Sequence, residues 1–463
     1  MTLLPGPQGS SLRSLYKWMT QPFAYLEECK RLYGDTFMFH LPRLPPLVIF
    51  SDPAVVKAVF ADSGEAMHGG QFNRSLSAFL GDKSVLMVDG KAHLRKRKLL
   101  LPPFHGERML AYGQVMMELA DEVIDGFPIG EVFPIHKRMS GIALNVIVRN
   151  VFGFAPGPKE ARLRHELSRL LEIMSWPPLL IPFMRVDLGP LSPWGRAVRL
   201  LQKCDANLYS ELRARRAPGG ARGSDILSLL IDARDEDGQA MSDAELRDEL
   251  VTLLVAGHET TATALTWALR WLLAAPAVEE RLRSELAGAG DLDPARIQAL
   301  PYLDAVVRES LRLCPIIPLV GRVLKEDVTL GGYPLKRGMG AVCSIYLAQR
   351  RPEVYTDPER FVPERFLDKK FTPAEFFPFG GGIRRCIGAG VVGDRAVTST
   401  GGDEHCDRDG PHHPRSSQAV RHPTTRGFAR LGRRDSRHVW GFTLEREGSG
   451  ERDELGLGPV RIE

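Results

Sequence analysis

"FPFGGGIRRCIGAG", residues 377–390, sets five glycines and two arginines around one cysteine, Cys386. Glycine tolerates tight turns and close backbone approach, so such a run can gather main-chain N–H groups about a single atom. A thiolate at Cys386 would be stabilised by those donors, and a soft thiolate is a metal ligand. The loop supplies no three further ligands for a closed zinc site. It also lacks the histidine and orienting group that mark a nucleophilic cysteine. One sulfur is enough for haem iron, whose in-plane ligands come with the porphyrin.

Away from that loop, Cys29, Cys204, Cys314, Cys343 and Cys406 are scattered without a CxxC pair, which argues against a disulfide framework or a zinc ribbon. The first four read as small buried hydrophobes. A chain of 463 residues, 43% hydrophobic and 25% charged, can bury a cofactor-sized cavity, and no linker divides its first 388 residues. The formal net charge of +4 makes no case for a nucleic-acid partner. At the start, "MTLLPGPQGSSLRSLYKWMT" (1–20) interrupts its apolar run at Pro5 and Pro7. No signal peptide or membrane span is predicted, and a soluble cytoplasmic protein is expected.

The periodicity predicts a helix-rich architecture with minor β-structure. Short extended runs ("TFMFHL", 36–41; "PLVIFS", 46–51) alternate with amphipathic helical stretches. Residues 241–276 open with a capping box, Ser242 and Glu245, and then run helically to Pro276 with apolar residues on most faces, as suits the middle of a molecule. "DVTLGGYPLKRGMGAVCSIYL" (327–347) reads as a small hairpin sheet. Residues 171–194 are strongly apolar yet hold five prolines, which suggests a lid over a greasy space. Within "AGHETT" (256–261), two hydroxyls and an acid interrupt the apolar helix, a costly placement unless something polar is handled there or the threonine bonds back to its own helix.

With these residues in view, the loop resembles the haem-ligand signature of the cytochrome P450 family, Phe-x-x-Gly-x-Arg-x-Cys-x-Gly, matched from Phe379 to Gly388 at every defined position. The resemblance implies Cys386 as proximal iron ligand and Arg384 as a haem-propionate partner, with Arg385 left as a surface charge. "AGHETT" is similar to the oxygen-activating segment, which would set Glu259 and Thr260 beside the distal face, Thr260 relaying protons and Glu259 linking it to water. His258 takes no role. Glu309 and Arg312, with Arg365 of "DPERFVPERFL" (357–367), resemble the family's buried structural triad. His93 and Arg97 match a propionate-binding position, and Arg322 is a third candidate. The other basic residues of that run, Lys91, Arg95, Lys96 and Lys98, read as a solvated face, bordering the surface where an acidic electron donor would dock.

The resemblance covers about Leu26 to Ala389 and implies a mainly α fold with small β-sheets. It further implies haem b, O2 and the hydroxylation or epoxidation of a small molecule, and the apolar stretch at 171–194 points to a lipophilic one. Electrons would come from separate ferredoxin and ferredoxin reductase proteins, because the chain carries no fused flavin or iron–sulfur segment. Residues 1–388 then form the haem domain and 389–463 an atypical tail. Where the family continues as an apolar helix, residues 391–438 have glycines at 393, 401 and 402, prolines at 411, 414 and 423, no lysine and no helical apolar period. A reading-frame change near Ala389 would account for that switch. Metal binding through His405, Cys406, His412 and His413, or nucleic-acid binding through the tail's arginines, is the competing reading. A non-catalytic or impaired haem-binding chain stands as the rival to the monooxygenase.

Overall fold

The computed structural model describes residues 4–42, 44–128, 133–154, 157–174, 185–392, 438–439 and 442–443. Caps and prolines set its elements. Helix α1 (Ser11–Thr20) begins where Ser10 accepts the Leu12 N–H, and α2 (Pro22–Tyr33) follows Gln21. Strands β1 (Thr36–Phe39) and β2 (Leu47–Phe50) lead to α3 (Pro53–Ala61), capped by the Asp52 carboxylate. Strand β3 (Met67–His68), α4 (Gly69–Phe72) and α5 (Ser77–Leu80) precede α6 (Gly90–Leu100) and α7 (Glu107–Asp125). Pro102 and Pro103, which cannot donate to a helical ladder, separate the last two.

The helical body continues through α8 (Ile135–Asn150), α9 (Pro158–Met174), α10 (Pro193–Arg216), α11 (Ile226–Asp232) and α12 (Asp243–Ala274). Then come α13 (Pro276–Gly288), α14 (Pro294–Gln298) and α15 (Pro301–Leu313), each opened by a proline whose missing N–H is no loss in a first turn. Strands β4 (Leu319–Leu324), β5 (Val328–Leu330), β6 (Tyr333–Leu335) and β7 (Gly340–Ser344) precede the short helices α16 (Ile345–Ala348) and α17 (Arg365–Asp368). A two-residue pair, β8 (His438–Val439) with β9 (Phe442–Thr443), is also described.

Helix α12 is the axis. Its expected capping box is present, Ser242 and Glu245 each satisfying the other's backbone N–H. Its 32 residues span about 48 Å. Met139, Ile142 and Ala143 of α8 pack on Ala262, while Leu246, Leu250, Val251 and Leu254 enter the main core with residues of α9, α10 and α11. A second core lies between α3 and the sheet, whose strand order is β1-β2-β7-β4-β3.

The sheet corrects one sequence expectation. Residues 327–347 do not make one hairpin: β5 and β6 do, but β7 leaves them and pairs parallel with β2 (Leu47 opposite Gly340) and antiparallel with β4. All five residues of β7 are buried, which requires partners on both sides. The expected lid falls largely on residues 175–184, outside the described residues. Its described parts are the last turn of α9, the stretch 185–188, a short turn at Gly189–Leu191 and the first residues of α10, which Ser192 caps.

Glu309, Arg312 and Arg365 meet as the resemblance implied. Glu309 and Arg312 are fully buried; Arg312 donates Nε to Glu309 Oε2 (2.7 Å) and Nη2 to Oε1 (2.9 Å), and Arg365 Nε reaches Oε1 at 3.0 Å. The segment leading to the cysteine loop hangs on this cluster, since Arg312 also donates to the carbonyls of Gln349, Pro358 and Arg360.

Candidate active site

The cysteine loop owes its shape to α3. Gly382 has φ +62°, and a Cβ there would lie 2.1 Å from the Phe60 carbonyl oxygen; one on Gly381 would enter the Phe60 ring. These glycines therefore let the loop press against α3. Gly382→Ala is expected to lower unfolding free energy by about 2 kcal/mol or more, read from urea unfolding, because strain and overlap act together. An unchanged midpoint would mean that α3 gives way instead.

Beyond the glycines, Phe379 accepts the Cys386 N–H at 3.0 Å and Gly382 accepts the Arg385 N–H at 3.1 Å. Cys386 is an exposed residue of the chain, yet its thiol sits in the wall of a cavity of about 1280 Å³. Burial raises the Cys386 thiol pKa, while the N–H groups of Gly388 and Ala389 and the charges of Arg97 and Arg385 oppose that rise. Such donors favour a thiolate once a positive metal centre adds its own charge.

Phe379, Gly388, His93, Arg97, Arg322 and Arg384 all line the same cavity. His93 is buried, its Nδ1 has no partner among the described residues, and burial with the nearby Arg384 and Arg97 pushes its pKa down to about 3. Arg97 donates to the Arg385 carbonyl at 2.6 Å, and Arg322 to that of Gly321 at 2.9 Å; neither has a carboxylate within ion-pair range among the described residues. Burial lowers the pKa of both. Partly buried cations without a direct ion-pair partner are costly, and an anionic group in the cavity would relieve them.

Arg384, the propionate partner that the motif implied, has a protein partner in this structure. Its guanidinium pairs with Asp89 at 2.5 Å and donates to the carbonyls of Val85 and Val88, while Asp89 also accepts the N–H groups of Gly70 and Gln71. Burial lowers its pKa to about 10, so it stays a cation. Arg385 is no surface charge: it is half-buried and lines the cavity. Lys96 is likewise not on a solvated face, being 4% exposed, and Arg95 is tied to Asp235 and Glu245. Sequence reasoning missed these because the acids that hold them lie about 150 residues away.

On α12, Ala256, Thr260 and Thr261 line the cavity. The Thr260 hydroxyl donates to the Ala256 carbonyl, leaving its oxygen free to accept. Glu259 turns elsewhere: its carboxylate meets His136 Nε2 of α8 at 3.1 Å and is half-exposed, with His258 Nδ1 at 3.9 Å. The His136 contact holds its pKa below the usual range. Glu259 is thus half-exposed and lies outside the cavity lining. His258 is buried, its Nε2 2.9 Å from Ser140 Oγ.

A thiol at the floor of an apolar cavity, beside uncompensated cations, fits a haem with its carboxylates. The cytochrome P450 family model matches residues 5–391. The chain belongs to the cytochrome P450 family. Among its relatives, cytochrome P450 135B1 of Mycobacterium tuberculosis is 39% identical over 390 residues, 84% of this chain and 82% of that protein. Cytochrome P450 137 of the same species is 35% identical over 360 residues, 78% and 74% of the two chains. The solved structure of retinoic acid-bound cyanobacterial CYP120A1 superposes with a TM-score of 0.74 at 24% identity, covering 84% of this chain and 88% of that one, a likeness of fold. As a P450, the protein is a haem-dependent oxidoreductase of the monooxygenase class that uses O2 and redox partners. Among the described residues, no helix is long and apolar enough to cross a membrane.

Proposed function

We propose that this P450 hydroxylates or epoxidises a lipophilic small molecule, with haem b held by Cys386 and electrons delivered by a separate ferredoxin and its reductase. The observation that carries the reading is Cys386 at the floor of a cavity whose other walls are mostly aliphatic and aromatic, among them Phe72, Leu76, Leu80, Ile316 and Val320. Bound haem would supply oxygen activation; the chain's residues hold it and manage protons. His93, Arg97 and Arg322 would take its carboxylates, Arg384 would fix the loop through Asp89, and Phe379 and Gly388 would face its plane. A screen of neutral terpenoids, fatty alcohols and polyketides, read by the spin-state shift of the Soret band, tests the substrate class. Shifts given only by highly charged compounds would overturn it.

In this reading Thr260 Oγ1, which lines the cavity, would accept and pass on a proton, while Glu259, paired with His136 outside the lining, would serve the relay only from the side of α12 that meets solvent. Thr260→Ala should leave haem and ligand binding intact, since it removes little volume and no iron ligand. Product per electron consumed should fall about tenfold or more, with the balance leaving as hydrogen peroxide. Unchanged coupling would return Thr260 to a helix residue satisfied by Ala256.

One observation favours the impaired reading. The cavity continues into an apolar trough between α7, α8 and α12, lined by Met116, Ile124, Met139, Val146, Leu265 and Leu269, and no described residue fills it. At its edge the Nδ2 of buried Asn150 has no partner among the described residues. Residues 391–438 carry no helical apolar period to cover it. We attribute this to a reading-frame change near Ala389; coding DNA whose neighbouring frame lacks an apolar helix would refute that origin. The tail residues proposed above as alternative ligands lie outside the described residues.

A further inference from the structure

Lys96, on the second turn of α6, is the most deeply placed charge of its basic run. Its Nζ stands 3.2 Å from Glu245 Oε1 and 3.2 Å from Glu249 Oε1, both on α12. These contacts are ionic proximity without hydrogen-bond alignment, so the Nζ and Glu249 Oε1 are otherwise unsatisfied. Glu249 is fully buried and borders the cavity. Its second oxygen, Oε2, accepts the Val85 N–H at 3.1 Å.

That bond is one of three by which α12 grips the segment 81–89. Asp248 Oδ2 accepts the Lys83 N–H at 2.9 Å, and Thr252 Oγ1 stands 2.7 Å from Ser84 Oγ. Gly81 begins the segment with φ +85°, where a Cβ would overlap the Asp248 carboxylate. The gripped segment gives Val85 and Leu86 to the cavity wall, and the carbonyls of Val85 and Val88 receive Arg384, two residues from Cys386. A line of direct bonds therefore runs from Glu249 through one turn of chain to the cysteine loop.

We propose that Glu249 is a positioning residue of the active site whose ionisation tightens the 81–89 wall segment and, through it, the seat of Arg384. The charge count supports this. One buried lysine faces two carboxylates, and Glu245 is already committed, its pKa held down to about 2 by the Ser242 N–H, Lys96 and the Ser242 hydroxyl despite partial burial. The excess proton falls to Glu249, whose pKa burial pushes up to about 7 against the pull of Lys96 and the Val85 N–H. The remaining charges about it are Asp248 with Arg247 on α12, Arg95 on α6, which reaches Glu245, and the exposed Asp82 and Lys83 of the segment itself. Above the midpoint the carboxylate is the stronger acceptor for the Val85 N–H; below it, the neutral acid is the weaker one. The inference concerns cavity wall and protein alone, and goes beyond the reading of what fills the cavity.

Amide hydrogen exchange of the full chain tests it without substrate turnover. The Val85 protection factor is expected to rise roughly fivefold or more through a midpoint near pH 7, while Lys83, held by Asp248, serves as the reference in the same turn. Glu249→Gln keeps an acceptor and removes the titration, so its Val85-to-Lys83 ratio should be flat with pH. Lys96→Met should move the wild-type midpoint upward by roughly one pH unit or more, because the opposing cation is gone. A wild-type ratio without a midpoint between about pH 5.5 and 8.5 overturns the proposal. So does a midpoint that persists in Glu249→Gln. Should either variant fail to fold, the wild-type profile decides, and none of these outcomes depends on haem ligation.

Discussion

Cys386→Ser is expected to abolish the red-shifted Soret band of the reduced carbon monoxide adduct and to lower haem retention. Among the described residues no other thiol can replace it. Cys343 is fully buried in the sheet, and burial pushes the thiols of Cys29, Cys204 and Cys343 up to about 12, far from a thiolate. Cys314 accepts the Trp271 indole N–H at 3.4 Å and does not line the cavity. Serine preserves the loop's volume, so Phe379 should still accept the residue-386 N–H and the fold should persist. A variant with the parental band would remove Cys386 from the ligand position. Absence of the band in the parent chain would instead favour the impaired reading.

A second large effect is expected at Glu309. Its Oε1 accepts from Arg312, Arg365 and the Val362 N–H, and its Oε2 from Arg312. Glu309→Leu would leave the fully buried Arg312 without its counter-charge, a loss of about 3–5 kcal/mol. That is a large part of the 5–15 kcal/mol that typically separates folded from unfolded chains, so soluble yield should collapse and any remaining protein should unfold at much lower urea. Glu309→Leu with Arg312→Leu should be less damaging than Glu309→Leu alone, because no uncompensated charge stays behind. A single variant with the parental midpoint would show that the triad does not hold the segment.

Motifs that lie in one contiguous stretch were legible in the sequence. The cysteine loop, the capped helix with its threonine, and the Glu309–Arg312 spacing all signal locally, and the fold followed from the family they resemble. What stayed hidden is decided by partners remote along the chain. Lys96 cannot be told from an exposed lysine until Glu245 and Glu249 come to face it, and Glu259 points to His136 only because α8 lies along α12. The parallel pairing of β7 with β2 likewise has no local sign, since hairpin chemistry at residues 330–333 says only that β5 and β6 turn back on each other. The glycines of the cysteine loop were read correctly as a need for close approach, but what approaches Gly381 and Gly382 is Phe60.

The pairing of β2 with β7 also fixes an order of events during synthesis. Leu47 meets Gly340, and Arg97 meets the carbonyl of Arg385, a partner 288 positions later in the chain. Contacts of such separation must wait for most of the polypeptide to emerge and are slow to close. Helices α7 to α12 can assemble early through neighbours in sequence, yet the five-stranded sheet and the floor of the cavity cannot be complete before β7 and the cysteine loop leave the ribosome. A cofactor held by Cys386 would therefore be captured late, after a stage in which helices α7 to α12 can form while the cavity still lacks its floor.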